Sequence, residues 1–176
     1  NYTFSYTPGT YDIDTASQTI SFAALADKDY GDSAFSVSAT SSSNLSVSFT
    51  STTTSVCTVS GSTVTIVAAG TCTIRASQAG NGNYSAAPNV DQTFTINQAS
   101  LVITASSATV DYGDPVPTIT PSYSGFVYGQ SAVNLSTAPT CATTYVTSSN
   151  AGSTPTTSCS GAAADNYSIS YVPGSV

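Results

Sequence analysis

Val56-Cys57-Thr58-Val59-Ser60-Gly61-Ser62-Thr63-Val64-Thr65-Ile66-Val67 alternates apolar and hydroxyl side chains on both sides of a Ser-Gly-Ser break. A period of two marks a strand with one buried face, and a short Gly-containing break between two such runs reads as a tight hairpin. Ala69-Gly70-Thr71 is the next turn, and Cys72–Ala76 resumes the alternation, so Cys57 and Cys72 fall on the outer strands of a short meander. Working outward, the same pattern predicts strands at Thr19–Phe22, Phe35–Ala39, Leu45–Phe49 and Gln92–Ile96. Further along it predicts Leu101–Ala105, Ile119–Gly125, Cys141–Val146, Thr154–Cys159 and Asn166–Val172. Pro115, Pro117, Pro121, Pro139 and Pro155 confine their segments to edges or turns, because proline cannot donate to a ladder.

Composition agrees. Ser and Thr supply 61 of 176 residues, and Glu, His, Trp and Met are absent. Only 6% of residues are charged, so hydroxyls carry the surface hydration, while Thr, Val, Ile and Tyr favour strands. The net charge of −7 leaves Lys28 and Arg75 as the only basic side chains. Two cations make no patch able to neutralise phosphates, which excludes nucleic acid and disfavours an anionic membrane surface. No apolar run approaches the roughly 18 residues of a spanning helix, so no membrane insertion is expected. Without His or Glu no Ser–His–Asp or Cys–His arrangement can be assembled. A carboxylate pair such as Asp29 and Asp32 could act on glycosides in principle, but it sits in a repeated turn, which points to architecture. We therefore expect no enzyme and no cofactor.

The chain repeats itself. Asn1-Tyr2-Thr3-Phe4-Ser5-Tyr6-Thr7-Pro8-Gly9-Thr10 returns 165 residues later as Asn166-Tyr167-Ser168-Ile169-Ser170-Tyr171-Val172-Pro173-Gly174-Ser175, with an echo at Asn83-Tyr84-Ser85. Asp29-Tyr30-Gly31-Asp32 recurs 82 residues on as Asp111-Tyr112-Gly113-Asp114, and Ile13–Ser17 recurs 83 residues on as Ile96–Ser100. A period of this length suits a small folding module, not a solenoid turn. Residues 1–14 are expected to be the closing strand of a preceding repeat. Residues 15–97 form one module, and residues 98–176 a second that lacks its final strand. The expected fold is all-β: two tandem Ig-like β-sandwich modules, the second a variant or β-grasp-like, after an N-terminal strand belonging to a preceding module. Three or four residues join the modules, which argues for a stiff rod.

Four cysteines fall two per module and allow three pairings. A module that folds as a unit favours Cys57 with Cys72 and Cys141 with Cys159. With no Cys-x-x-Cys and no His, zinc is a poor explanation, and oxidised pairs point to an extracellular protein.

The runs Ala16–Phe22, Leu25–Asp32, Val56–Gly61, Val67–Ile74 and Gln78–Tyr84 resemble bacterial Ig-like repeats of giant secreted proteins. Leu101–Ala105, Asp111–Asp114, Tyr123–Gly129 and Asn166–Tyr171 resemble the "mostly beta, glycine-rich" (MBG) repeat. The resemblance implies tandem β modules of adhesins and other exported surface proteins. It supplies no catalytic residues. Cys141 and Cys159 depart from the usual MBG pattern.

Asp27, Asp29 and Asp32 in one turn, with Asp111 and Asp114 in the other, form a candidate Ca²⁺ set. The competing reading, which we prefer, is architectural: Tyr30 and Tyr112 pack, Gly31 and Gly113 take positive φ, and Asp32 and Asp114 cap the turn. Asn83, Tyr84, Asn166 and Tyr167 read likewise as structural turns at module ends. Lys28 reads as a solvated loop residue, and Arg75 as a solvent-face residue pairing across strands. The expected function is a structural repeat unit of an extracellular bacterial fibre, stalk or adhesin, with neighbouring copies of the repeat as partners. The rival is a module binding carbohydrate or a host surface through Tyr123–Tyr128, for which an exposed row of aromatics is the discriminating feature.

Overall fold

The computed structural model describes residues 1–176 and is built from strands. In the first module these are β1 (Ile20–Phe22), β2 (Lys28–Asp29), β3 (Phe35–Ser36), β4 (Ala39–Ser41), β5 (Ser48–Ser51), β6 (Cys57–Ser60), β7 (Thr63–Ile66), β8 (Gly70–Ser77) and β9 (Val90–Asn97). In the second they are β10 (Ala99–Ala105), β11 (Pro121–Ser124), β12 (Thr140–Thr143), β13 (Thr156–Ser160), β14 (Tyr167–Val172) and β15 (Gly174–Ser175). One 3₁₀ turn, Ala132–Asn134, is the sole helical element.

The alternation read from the sequence sets the layers of the first module. Sheet β2-β9-β8-β5 faces sheet β3-β7-β6, and β1 pairs β4 beside them. Val64 and Ile66 on β7 point inward, as do Cys72, Ile74 and Ala76 on β8 and Phe94 and Ile96 on β9. Phe35 meets Phe94 edge-on at 5.7 Å between ring centres, holding β3 against β9. Gly61 takes a φ of +62° in the β6–β7 hairpin, as the Ser-Gly-Ser break requires. Cys57 and Cys72 are bonded to each other. They lie on strands of the two facing sheets, so the bridge clamps the sandwich across its core and is not confined to one meander.

The second module stacks sheet β11-β10-β14 on sheet β12-β13-β15. Leu101, Ile103 and Ala105 of β10 are buried, as are Thr157 and Cys159 of β13. The buried Thr157 hydroxyl is satisfied: it donates to Ser106 O at 2.8 Å and accepts from Gly174 N at 3.1 Å. Cys141 and Cys159 are bonded and directly opposite each other on β12 and β13, so this bridge staples neighbouring strands. Of the two forms open from the sequence, the paired three-stranded sheets are sandwich-like. Pro121 opens β11, an edge strand, where its missing N–H costs nothing.

Residues 1–14, expected to close a preceding repeat, have no ladder partner within this chain, and Tyr2, Phe4, Tyr6, Tyr11 and Ile13 are exposed. Two expectations need correction. Phe35–Ala39 is two strands in two sheets, because the chain crosses from one layer to the other at Val37-Ser38. The strand expected at Leu45–Phe49 begins later, at Ser48. The short strands β2 and β15 had no sequence signal, since neither spans a full period.

Replacing Cys57 and Cys72 together by alanine releases a cross-link spanning 15 residues and is expected to remove about 3 kcal/mol of stability. Urea unfolding reads this as a lowered midpoint with a steeper slope, because the denatured chain freed of its cross-link exposes more surface. An unshifted midpoint would mean that packing alone holds the two sheets.

Candidate functional site: the junction between modules

The two Asp-Tyr-Gly-Asp turns are built alike. Asp32 N donates to Asp29 O (3.0 Å) and Asp29 N to the Asp32 carboxylate (3.1 Å). In the second copy Asp114 N donates to Asp111 O (3.1 Å) and Asp111 N to the Asp114 carboxylate (2.9 Å). Gly31 and Gly113 both have positive φ, +112° and +89°. Their surroundings differ. Tyr30 is 5% exposed and Tyr112 71%. A Cβ at Gly31 would stand 2.8 Å from a methyl of Val127 in the second module, whereas nothing lies near Gly113.

Tyr30 is buried by the next module. Its ring meets Tyr128 at 5.2 Å and Tyr167 at 5.7 Å, both edge-on, and Tyr167 in turn meets Phe126 at 5.4 Å. Such edge-to-face pairs add to the stabilisation from buried area. The polar ends close a network. Gln130 Nε2 donates to Tyr30 Oη (3.1 Å), Tyr167 Oη to Gln130 Oε1 (2.5 Å), and Val127 N to Tyr167 Oη (3.2 Å). Tyr128 Oη donates to Asp32 O (2.8 Å), and Ala69 N donates to Asn166 Oδ1 (2.9 Å). Partial removal from water raises the Tyr128 phenol above its ordinary pKa, although the residue remains half exposed. One residue, Gln98, separates β9 from β10, and its amide is tied to Asp165 O (2.8 Å). The hydrophobic core runs through this junction as one cluster, from Phe22 to Tyr167.

The Asn-Tyr markers have a shared role. Ala16 pairs with Tyr84, and Ala99 with Tyr167, both in parallel. Ala16 N donates to Asn83 O (2.9 Å) and Ala99 N to Asn166 O (3.0 Å). The repeated Ala-Ser and Asn-Tyr-Ser segments are thus the two sides of one ladder, made once in each module.

Four of the five candidate carboxylates are occupied locally. Asp27 accepts from Thr95 N (2.7 Å), Asp29 from Asn97 Nδ2 (2.9 Å), and Asp32 and Asp114 from their own turns. Asp27, Asp29, Asp32, Asp111 and Asp114 do not converge, and no three metal-ligating side chains come together. Lys28 lies over the Phe35 ring at 5.2 Å instead of standing free in solvent. Arg75 and Asp91 pair across β8 and β9 through two 2.8 Å bonds; the bond raises the guanidinium pKa and lowers that of the carboxylate. Sequence reasoning missed Val127, Tyr128 and Gln130 as junction residues. In the Tyr123–Tyr128 segment that the rival reading offers to sugars, Phe126 packs on Tyr167 and Tyr128 on Tyr30, while Tyr128 stays 54% exposed.

No curated protein and no solved structure matches the chain. The second module does match a known family: residues 101–176, which hold the triplets Tyr112-Gly113-Asp114 and Tyr128-Gly129-Gln130, fit the model of the MBG domain (YGX type).

Proposed function

We propose that the chain is a structural repeat unit of an extracellular bacterial fibre, stalk or adhesin, giving length, stiffness and protease resistance. The observation that carries this reading is the buried Tyr30 junction. A side chain of one module completes the packing of the next, so the pair moves as one stiff body. The one-residue connection, the continuous core and a disulfide in each module support it. So does the MBG match, a repeat type associated with surface proteins. The disulfides favour an oxidising location. The carbohydrate-binding reading has weaker support, because it needs a free row of aromatics where Phe126 and Tyr128 are engaged by Tyr30 and Tyr167.

Residual dipolar couplings test the rod directly. The two modules should share one alignment tensor in the native chain and take separate tensors in Tyr30→Ala. That variant should also lose about 3 kcal/mol, as a buried aromatic truncation does. Two unrelated tensors in the native chain would refute stiffness. Tyr128→Phe removes one hydrogen bond and should cost about 1 kcal/mol, with the shared tensor retained. On a glycan array the stalk reading expects no saturable binding; saturable binding abolished by Tyr123→Ala would favour the rival.

A further inference from the structure

We infer that Asn81-Gly82 is a self-modifying site: the backbone nitrogen of Gly82 displaces ammonia from the Asn81 side chain, and water opens the resulting ring to aspartate and isoaspartate. The inference stands apart from the stalk reading and needs no partner, cofactor or enzyme. Every other asparagine in the chain precedes a residue with a side chain, and only Asn81 precedes glycine. A Cβ on the following residue crowds the attacking nitrogen, so this amide alone can be approached by its neighbouring backbone without that hindrance.

The loop gives Gly82 no structural task. Gly80 has a φ of +79°, and a Cβ there would run into Tyr84 O, so geometry fixes Gly80. Gly82 has no such φ, and a Cβ on it would meet nothing within 4 Å. Asn81, Gly82 and Asn83 are all exposed, which brings water and hydroxide to the bond. The Gly82 N–H has no partner within the chain, so no hydrogen bond must break before it is deprotonated.

The Asn81 side chain is held for attack. Its Oδ1 accepts from Asn83 N (2.9 Å) and Tyr84 N (3.0 Å), while Asn81 N donates to Tyr84 O (2.9 Å). Two N–H groups on one carbonyl oxygen draw electrons from Cγ and stand where negative charge grows, as in an oxyanion hole. The side chain is held by Oδ1 alone, which leaves Nδ2 free to depart. Hydroxide takes the Gly82 proton, the nitrogen bonds to Cγ, and the Cγ–Nδ2 bond breaks as Nδ2 takes a proton from water. Water then adds to either carbonyl of the ring. Opening at Cγ gives aspartate; opening at the Asn81 backbone carbonyl gives isoaspartate, with the main chain routed through Cγ. The net change is amide and water to acid and ammonia.

The consequence falls on the ladder that closes the first module. Asn83 O accepts from Ala16 N (2.9 Å), and Ser85 N donates to Ala16 O (2.9 Å). Isoaspartate lengthens the backbone just before that ladder and takes the shared acceptor away from Asn83 and Tyr84. Aspartate keeps the acceptor and only adds charge.

Peptide mapping by mass spectrometry tests this on the full, disulfide-bonded chain incubated for weeks at neutral pH. The amide-to-acid mass gain should fall on Asn81 ahead of every other asparagine, with part of the product labelled by protein isoaspartate methyltransferase. Gly82→Ala places a methyl in open space and should slow the gain at least about tenfold. The native chain should react at least as fast as the same chain reduced and unfolded in guanidinium chloride, because only the native loop holds both N–H donors on Oδ1. An amide that persists in the native chain, that reacts faster unfolded, or that reacts equally in Gly82→Ala overturns the inference. Asn81→Asp should keep the native urea midpoint and the purified isoaspartate form should fall below it; equal midpoints would overturn the loosening of the ladder.

Discussion

Each module is closed by a parallel pairing between its first residues and a segment 68 positions later, Ala16 with Tyr84 and Ala99 with Tyr167. Parallel neighbours cannot be joined by a hairpin, so everything between must fold into a compact crossover before the two ends meet. That constraint explains why the sequence conserves so little between the modules apart from their ends and the Tyr-Gly-Asp turn. The ends form the ladder that defines a module, whereas the middle needs only to fill the space. It also explains the double duty of Tyr167. Its backbone closes the second module, and its ring covers Tyr30 of the first. The segment that closes the second module is thus also one that packs on the first.

The near absence of charge fits this architecture. Short strands in several small sheets leave many edges and outward faces, and these carry Ser and Thr in place of Lys and Glu. Hydroxyls satisfy each other and the backbone across strands, as Thr73 and Thr93 do at 3.0 Å, and lose less side-chain entropy on ordering than long charged residues. The Arg75–Asp91 pair is the one ion pair, and it is exposed, so it contributes orientation more than stability. Stability is drawn instead from inward-facing aliphatic rows and from two bridges with different tasks. Cys57–Cys72 ties facing sheets across the core, and Cys141–Cys159 locks the register of adjacent strands.

Much of this was legible in the chain because period-two alternation survives wherever one face is buried. The strands around Val56–Ala76 and Leu101–Ala105 were predicted to within a few residues for that reason, as was the within-module placement of cysteines. Other features carried no local signal. β2 and β15 exist only because a neighbouring strand offers an edge, and two residues cannot display a period. Val37-Ser38 continues an unbroken alternation while the backbone changes sheet, a tertiary event invisible to pattern. The turn geometry of both Asp-Tyr-Gly-Asp segments followed from residue types, yet the fates of Tyr30 and Tyr112 diverge. Identical residues cannot report what packs on them. Gln130 was equally hidden: a lone polar residue after a Tyr-Gly pair gives no hint that it joins two tyrosine hydroxyls.

The junction is made by few groups, and the covalent connection keeps its two faces close together. Gln98 alone links β9 to β10, so the second module sees the Tyr30 face at an effective concentration in the millimolar range or above. Such a connection favours contacts that would be too weak to hold two separate proteins. Gly31 sets the limit on how such a junction can change. Its positive φ and its contact with Val127 leave no room for a side chain, so the turn admits the next module at one distance and one orientation.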